Sequence, residues 1–375
     1  MSEAFSRVKE IIQAGVDEKV FSGAALGISL YGETVVEEYF GETSFETDAK
    51  PIDKDTRFDL ASISKIFSTT SIALRFIDRG LLRVYDKVGD FFPEATTVKD
   101  TTVLELMSHT SGQPGHYKMW EEAKGSSSEE IRDVLFHREL KNEPGKVEEY
   151  SCMGYLILGE ILKKISGKTL DVLFEEEVVK PLGIKDTSYG PIDTSKIKVA
   201  QTTDFTTGEA LNGVVHDENA RFQGGVSANA GLFSTLHDVM RYGQTLYNSG
   251  FVYAEGDDLE QAAESFISYA TLDKAKLNYT EGLAQDRGLG FILASSKNTS
   301  FGELLSDDAF GHTGFTGTSI IVDQMNGLVI TILTNRVIQR NDGKAAFRLR
   351  ALAHNSIVAD ATKYYSNFFP ETFMD

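Results

Sequence analysis

Residues 59–70 read Asp-Leu-Ala-Ser-Ile-Ser-Lys-Ile-Phe-Ser-Thr-Thr, placing a lysine three residues after Ser62 where an apolar helical pattern begins. Positions three apart share a helix face, so the Lys65 ammonium comes within reach of the Ser62 hydroxyl. Two readings follow. Ser62 is a helix N-cap, the ordinary use of serine at such a boundary, or it is a nucleophile with its base one turn away. Spacing alone does not choose between them, because Ser6/Lys9 and Ser195/Lys198 repeat it.

Upstream, Phe5, Val8, Ile11 and Ile12 recur at helical spacing, and apolar runs at 24–30 and 34–40 flank Tyr31-Gly32-Glu33. This predicts a helix followed by a β-hairpin. Downstream, helices are expected at 62–79, 101–108, 128–140, 153–165, 169–179 and 235–248. Strands are expected at 288–294, 318–322 and 328–333, with a last helix at 344–359. Both chain ends therefore look α/β, with a mainly helical region between them. The Ser-rich run at 124–130 and the acidic run at 253–261 read as surface excursions.

The bulk numbers bound the function. A chain of 375 residues with 41% apolar residues buries one large core or two modest ones. Acidic residues outnumber basic ones, 56 to 37, and a net charge of −19 repels nucleic acid and anionic membrane surfaces. No apolar leader or membrane-length run interrupts the charges, so the expectation is a cytoplasmic protein. The single cysteine, Cys152, excludes an internal disulfide and any multi-thiolate zinc site. No His-Glu-x-x-His occurs, so neither a metal nor another cofactor is expected. Gly167-Lys168-Thr169 lacks the earlier glycine of a phosphate loop, since Leu162 stands there. The Gly-x-Ser sites at Ser29, Ser127, Ser227 and Ser319 lack the closing glycine of a nucleophile elbow.

If Ser62 is the nucleophile, further groups must come from elsewhere. Tyr150, after the Pro144-Gly145 turn and before a strong helix, can share a proton with Lys65 and pass it to a leaving group. His312-Thr313-Gly314 leads into a strand, where the Phe315 N–H can oppose that of Ser62. Two such donors make an oxyanion hole worth roughly 3 kcal/mol per donor.

Ser62-Ile-Ser-Lys65, Tyr150-Ser-Cys152 and His312-Thr-Gly314 resemble, in order and spacing, the motifs of the serine β-lactamase and penicillin-binding protein superfamily. Class C β-lactamases, related esterases and D-peptidases are its most similar branches. Supporting likeness extends to 103–112, 180–190, 215–244 and the Leu333-Thr-Asn-Arg-Val337 run. The resemblance implies an α/β (α+β) fold, an antiparallel sheet flanked by helices with a mainly helical insertion. The domains would be 1–80 with 286–375, and 81–285. It also implies Ser62, Lys65 and Tyr150 as catalytic residues, Ser62 and Phe315 as oxyanion donors, and Cys152, His312, Thr313 and Gly314 as substrate contacts.

Two positions depart from the family. Cys152 stands where asparagine is usual, and a thiol is a poor donor to a substrate amide. His312 stands where lysine is common, and an imidazole is largely neutral at pH 7. Arg336 is the candidate to supply the missing charge, while His109 and His216 read as structural. The expected activity is hydrolysis of small esters, or of D-amino-acid peptides and amides, through an acyl-enzyme, with little β-lactam turnover. The alternative is a penicillin-binding or sensing protein that acylates without efficient turnover. The expected partner is a small-molecule ester, peptide or amide, with no nucleic acid and no membrane.

Overall fold

The computed structural model describes residues 4–115, 117–253, 264–296, 300–340 and 342–368. Most of the acidic excursion expected at 253–261 lies outside the described residues. The chain opens with α1 (Ser6–Asp17) and the hairpin β1 (Gly23–Leu30) and β2 (Glu33–Gly41), as the apolar spacing predicts. Ile63 and Ser64 begin the helix after Ser62, which widens to π turns over Lys65–Thr70 and continues as α2 (Ser71–Asp78). The longest later helices are α3 (Cys152–Ser166), α4 (Leu236–Tyr247) and α5 (Lys344–Phe368). The C-terminal strands are β3 (Ile292–Leu293), β4 (Phe310–Thr313), β5 (Ser319–Asp323) and β6 (Leu328–Thr334).

These strands form one six-stranded sheet in the order β3-β4-β5-β6-β1-β2, with every neighbour antiparallel. The N-terminal hairpin thus docks beside the last strand, with Ala24 opposite Thr334 and Leu30 opposite Leu328. Alternation along β1 sorts its side chains. Ala24, Leu26, Ile28 and Leu30 pack with Ile330 and Ile332 beneath α1 and α5. Ala25, Val329 and Leu333 face the other core, which includes α4. Gly27 faces the same side, where a Cβ would lie 2.6 Å from the Met240 sulfur, so the missing side chain lets α4 seat on the sheet. Although α4 lies in the segment expected to be the insertion, it packs on the sheet.

The helical region is centred on α3, whose residues from Met153 to Leu162 are all buried. A helix apolar on every side needs neighbours all round; Val103–Met107, Ser128–His137 and the Lys65–Thr70 segment supply them. Capping boxes open two of these helices, Thr102 with Glu105 and Ser127 with Glu130.

Several boundaries differ from expectation. The strand expected at 288–294 contracts to β3, because Gly288 N–H bonds to Phe291 and Gly290 N–H to Met107, which takes that backbone out of the sheet ladder. The helix expected at 128–140 ends at His137. The helix expected at 169–179 divides into Leu170–Phe174 and wider turns over Glu175–Val179, then runs on through Pro181 to Leu182. The last helix continues past 359 to Phe368. Among the described residues, no helix is long and apolar enough to cross a membrane.

Candidate active site

Ser62 stands at the turn where the segment after Asp59 enters the helix, and Ala61 before it takes a left-handed φ of 47°. A non-glycine residue holds that conformation only when its surroundings fix it. The Asp59 carboxylate does so, accepting from Ala61 N–H at 2.8 Å with one oxygen and from His216 N–H at 2.7 Å with the other. Lys65 is fully buried, and its Nζ lies 3.0 Å from Ser62 Oγ. The ammonium is also held by the Asn229 carbonyl at 2.8 Å and contacts Cys152 Sγ at 3.5 Å. Ser64, not Ser62, spends its hydroxyl on the fold, accepting from Leu232 N–H.

Tyr150 completes a second side of the site. Lys65 Nζ lies 5.1 Å from its ring centroid, and the Arg287 guanidinium lies 5.4 Å from it. His109 packs on the same ring at 4.4 Å, and His312 at 6.0 Å. Arg287 is anchored by Glu148 at 2.9 Å and by Gln285. His109 Nδ1 accepts from Ser151 N–H at 3.1 Å, which puts its proton on Nε2. His312 Nδ1 must donate to the Thr313 carbonyl, 2.7 Å away, leaving a buried Nε2 without a partner among the described residues.

The turn after β4 forms the third side. Thr316 Oγ1 donates to the Asp59 carbonyl at 2.7 Å and Thr318 Oγ1 to the Leu60 carbonyl at 3.1 Å, stapling residues 314–318 onto the approach to Ser62. Gly314 is required there, since a Cβ would meet the Leu60 oxygen at 2.5 Å and Thr318 Oγ1 at 2.0 Å. Neither Ser62 N–H nor Phe315 N–H has an acceptor within the described chain. The charge expected from Arg336 is not offered to solvent: the residue is 1% exposed, with its guanidinium 4.4 Å from the Phe315 ring and 5.2 Å from that of Phe347.

Burial dominates the electrostatics. It pushes the Tyr150 phenol up, with Lys65 and Ser62 near enough to pull back, although among the described residues no group meets the Tyr150 hydroxyl in full hydrogen-bond geometry. It pushes the Cys152 thiol up, against the opposing pull of Lys65. On Lys65 burial acts downward, while Cys152 and Tyr150 act upward and carry the net shift. That upward pull belongs to their ionised forms. Both partners are themselves raised and therefore neutral at pH 7, which leaves burial acting downward on the amine against the Asp217 charge acting upward. His312 and His109 are held well below the usual imidazole range, by burial first and then by the Lys65 and Arg287 charges. Both rings are neutral at pH 7.

The candidates Ser62, Lys65, Tyr150, Cys152, His312, Thr313, Gly314 and Phe315 thus converge. Sequence reasoning missed Asp59, Glu148, Asn229 and Arg287, and took His109 as structural although it stacks on Tyr150. Glu148, Asn229 and Asp59 lie in or beside the quoted motifs, but nothing local distinguishes them from ordinary surface polar residues.

Fold and relatives together define a serine hydrolase of the β-lactamase type. Residues 8–355 match the family model described as Beta-lactamase, and the chain belongs to that family. Among curated proteins it is 31% identical over 351 residues to the N-acetylmuramyl-L-alanine amidase of Bacillus subtilis (strain 168), covering 85% of this chain and 75% of the relative. It is 28% identical to a putative D-alanyl-D-alanine carboxypeptidase of Escherichia coli (strain K12), covering 80% of this chain and 73% of that one. Among solved structures, a hydrolase with promiscuous acyltransferase activity superposes with a TM-score of 0.74 at 20% identity, covering 94% of this chain and 97% of that one. A penicillin-binding protein homologue from Caulobacter crescentus gives 0.72 at 23% identity, covering 94% and 98%.

Proposed function

We propose that the protein cleaves small esters, or D-amino-acid peptides and amides, through an acyl-enzyme on Ser62, and turns over β-lactams weakly. The observation that carries this is the 3.0 Å approach of Lys65 Nζ to Ser62 Oγ, with the amine held from behind by Asn229 and Cys152. In the reactive form Lys65 is neutral and takes the Ser62 proton as Oγ attacks the carbonyl carbon. The oxyanion is met by the N–H groups of Ser62 and Phe315. Tyr150 protonates the leaving group and is refilled from Lys65. Water then attacks the acyl-enzyme, giving its proton back through the same pair, and Ser62 leaves with a proton restored.

Within this class, substrates without a free carboxylate fit best. A carboxylate calls for a cation, whereas His312 is neutral, Arg287 is paired with Glu148, and Arg336 is buried between rings. The amidase and carboxypeptidase names of the sequence relatives support amide and peptide substrates, and the hydrolase among the structural neighbours supports the same chemistry. With Cys152 in place of an amide side chain, amide polarisation is weaker, which favours esters.

The test is intact-protein mass spectrometry with peptide mapping after mixing with a p-nitrophenyl ester and, separately, a fluorescent penicillin, alongside product release. An adduct on Ser62 that forms and decays with ester turnover, absent in Ser62→Ala, is the expected result. Full turnover in Ser62→Ala would sink the mechanism. A permanent adduct would transfer the protein to the binding or sensing class.

A further inference from the structure

Phe315 is unusual among the site residues because it is 52% exposed, on the turn stapled to the approach to Ser62. It does not stand alone. The His216 ring lies 5.6 Å from it and the Phe205 ring 6.4 Å, while His216 and Phe205 pack edge to face at 5.0 Å. One flank of Phe315 is backed by Arg336, 4.4 Å away. Among the described residues this cluster shares no ring contact with the Tyr150 group, which lies against His109, His312, Lys65 and Arg287.

The cluster is held rigidly. Arg221 reaches Asp204 at 2.7 Å and the carbonyls of Val215 and His216 at 3.1 and 3.2 Å, tying the Phe205 loop to the His216 segment. Asp59 ties His216 N–H to the turn before Ser62, and Thr316 ties the Phe315 turn to the Asp59 carbonyl. Every ring is thus referenced to the nucleophile. Burial holds His216 down to about 4, so its ring is uncharged at pH 7.

We propose that Phe315, Phe205 and His216 form an acyl-side subsite for an uncharged aryl or similarly flat apolar group on the carbonyl carbon. The inference rests on the hydrolase reading above. Tyr150 serves the leaving group on one side of Ser62, and the Phe315 N–H holds the carbonyl oxygen. The Phe315 ring therefore flanks the remaining substituent, the acyl chain. A flat apolar group laid there covers ring surface that water now wets. Arg336 behind the ring is shielded from solvent, so the shelf presents no charge to an acidic chain.

The experiment holds the leaving group constant and varies the acyl group, comparing p-nitrophenyl phenylacetate with p-nitrophenyl acetate in wild type, Phe315→Ala and Phe315→Leu. The expected wild-type kcat/KM ratio favours phenylacetate, falls about tenfold in Phe315→Ala, and is partly restored in Phe315→Leu. A ratio unchanged by Phe315→Ala, with both esters still cleaved, overturns the subsite and leaves the hydrolase reading standing. Phenylacetamide binding is measured independently of turnover in Ser62→Ala and in Ser62→Ala/Phe315→Ala. At least fivefold weaker binding in the double variant supports the shelf even if neither ester is hydrolysed, the outcome that would sink the hydrolase reading. Equal binding, or none in Ser62→Ala, overturns the shelf.

Discussion

Two cations lie near the Tyr150 ring, Lys65 at 5.1 Å and Arg287 at 5.4 Å, and only the first belongs to a recognisable motif. A nearby cation favours a phenolate over a phenol. In the proposed mechanism Arg287 is therefore a positioning residue that makes Tyr150 a better proton donor than its burial allows. Arg287→Gln removes that charge and leaves buried Glu148 unpaired, a change that costs about 3 kcal/mol of stability. The expected kinetic signature is a basic limb of kcat/KM that moves to higher pH, together with a fall in rate. An unmoved limb in a folded variant would reduce Arg287 to a structural role. The motif residues were readable because a helix delivers i and i+3 to one face. Arg287 was not, because only tertiary packing brings position 287 to position 150.

At the level of elements, the 314–318 turn and the 59–61 approach act as one unit, joined by the hydroxyls of Thr316 and Thr318. Gly314 sets their separation. In Gly314→Ala the new Cβ forces the turn away from Leu60 and carries the Phe315 N–H out of line. Loss of one oxyanion donor costs about 10²-fold in kcat, and that fall is expected with KM changing far less. Steady-state kinetics on one ester checks it, and a variant that lost only KM would place Gly314 outside the oxyanion hole. The sheet repeats the lesson of coupling distant segments. Asn335 accepts from Ser22 N–H and Gly23 N–H, and its amide donates to the carbonyls of Thr43 and Gln201, so one side chain ties both chain ends together. The strand pattern at 328–333 was plain from its β-branched run. The shortness of β3 was not, since Gly288 and Gly290 divert their N–H groups to partners that only the folded chain supplies.

Across the whole molecule, acid stability follows from buried histidines. His109 and His312 are held well below 6.5, His216 at about 4 and His354 at about 3, all chiefly by burial. A base whose folded pKa is depressed binds its proton more readily when unfolded, so its stabilising effect is complete above pH 6.5 and is lost as pH falls towards the folded value. Asp59, raised to about 6 by burial, works in the opposite sense between about 4 and 6. Four histidines outweigh the one raised carboxyl, so unfolding takes up protons in that window. Denaturation midpoints measured from pH 7 down to pH 4.5 should therefore fall steeply, and less steeply in His354→Gln. A flat profile would show that these rings are not buried neutral.

Periodicity, composition and three short motifs were enough to read the α/β class, the order of most elements and Ser62, Lys65 and Tyr150 as candidates, the elements and the Ser62–Lys65 pair because each depends on spacing within one helix or strand. What surrounds those residues depended on long-range packing. Strand order, the pairing of Arg287 with Glu148, the burial of Arg336 behind Phe315 and the aromatic shelf all join positions far apart in the chain. Their charges and pKa values arise from burial, a property a residue acquires only once the rest of the molecule has closed over it.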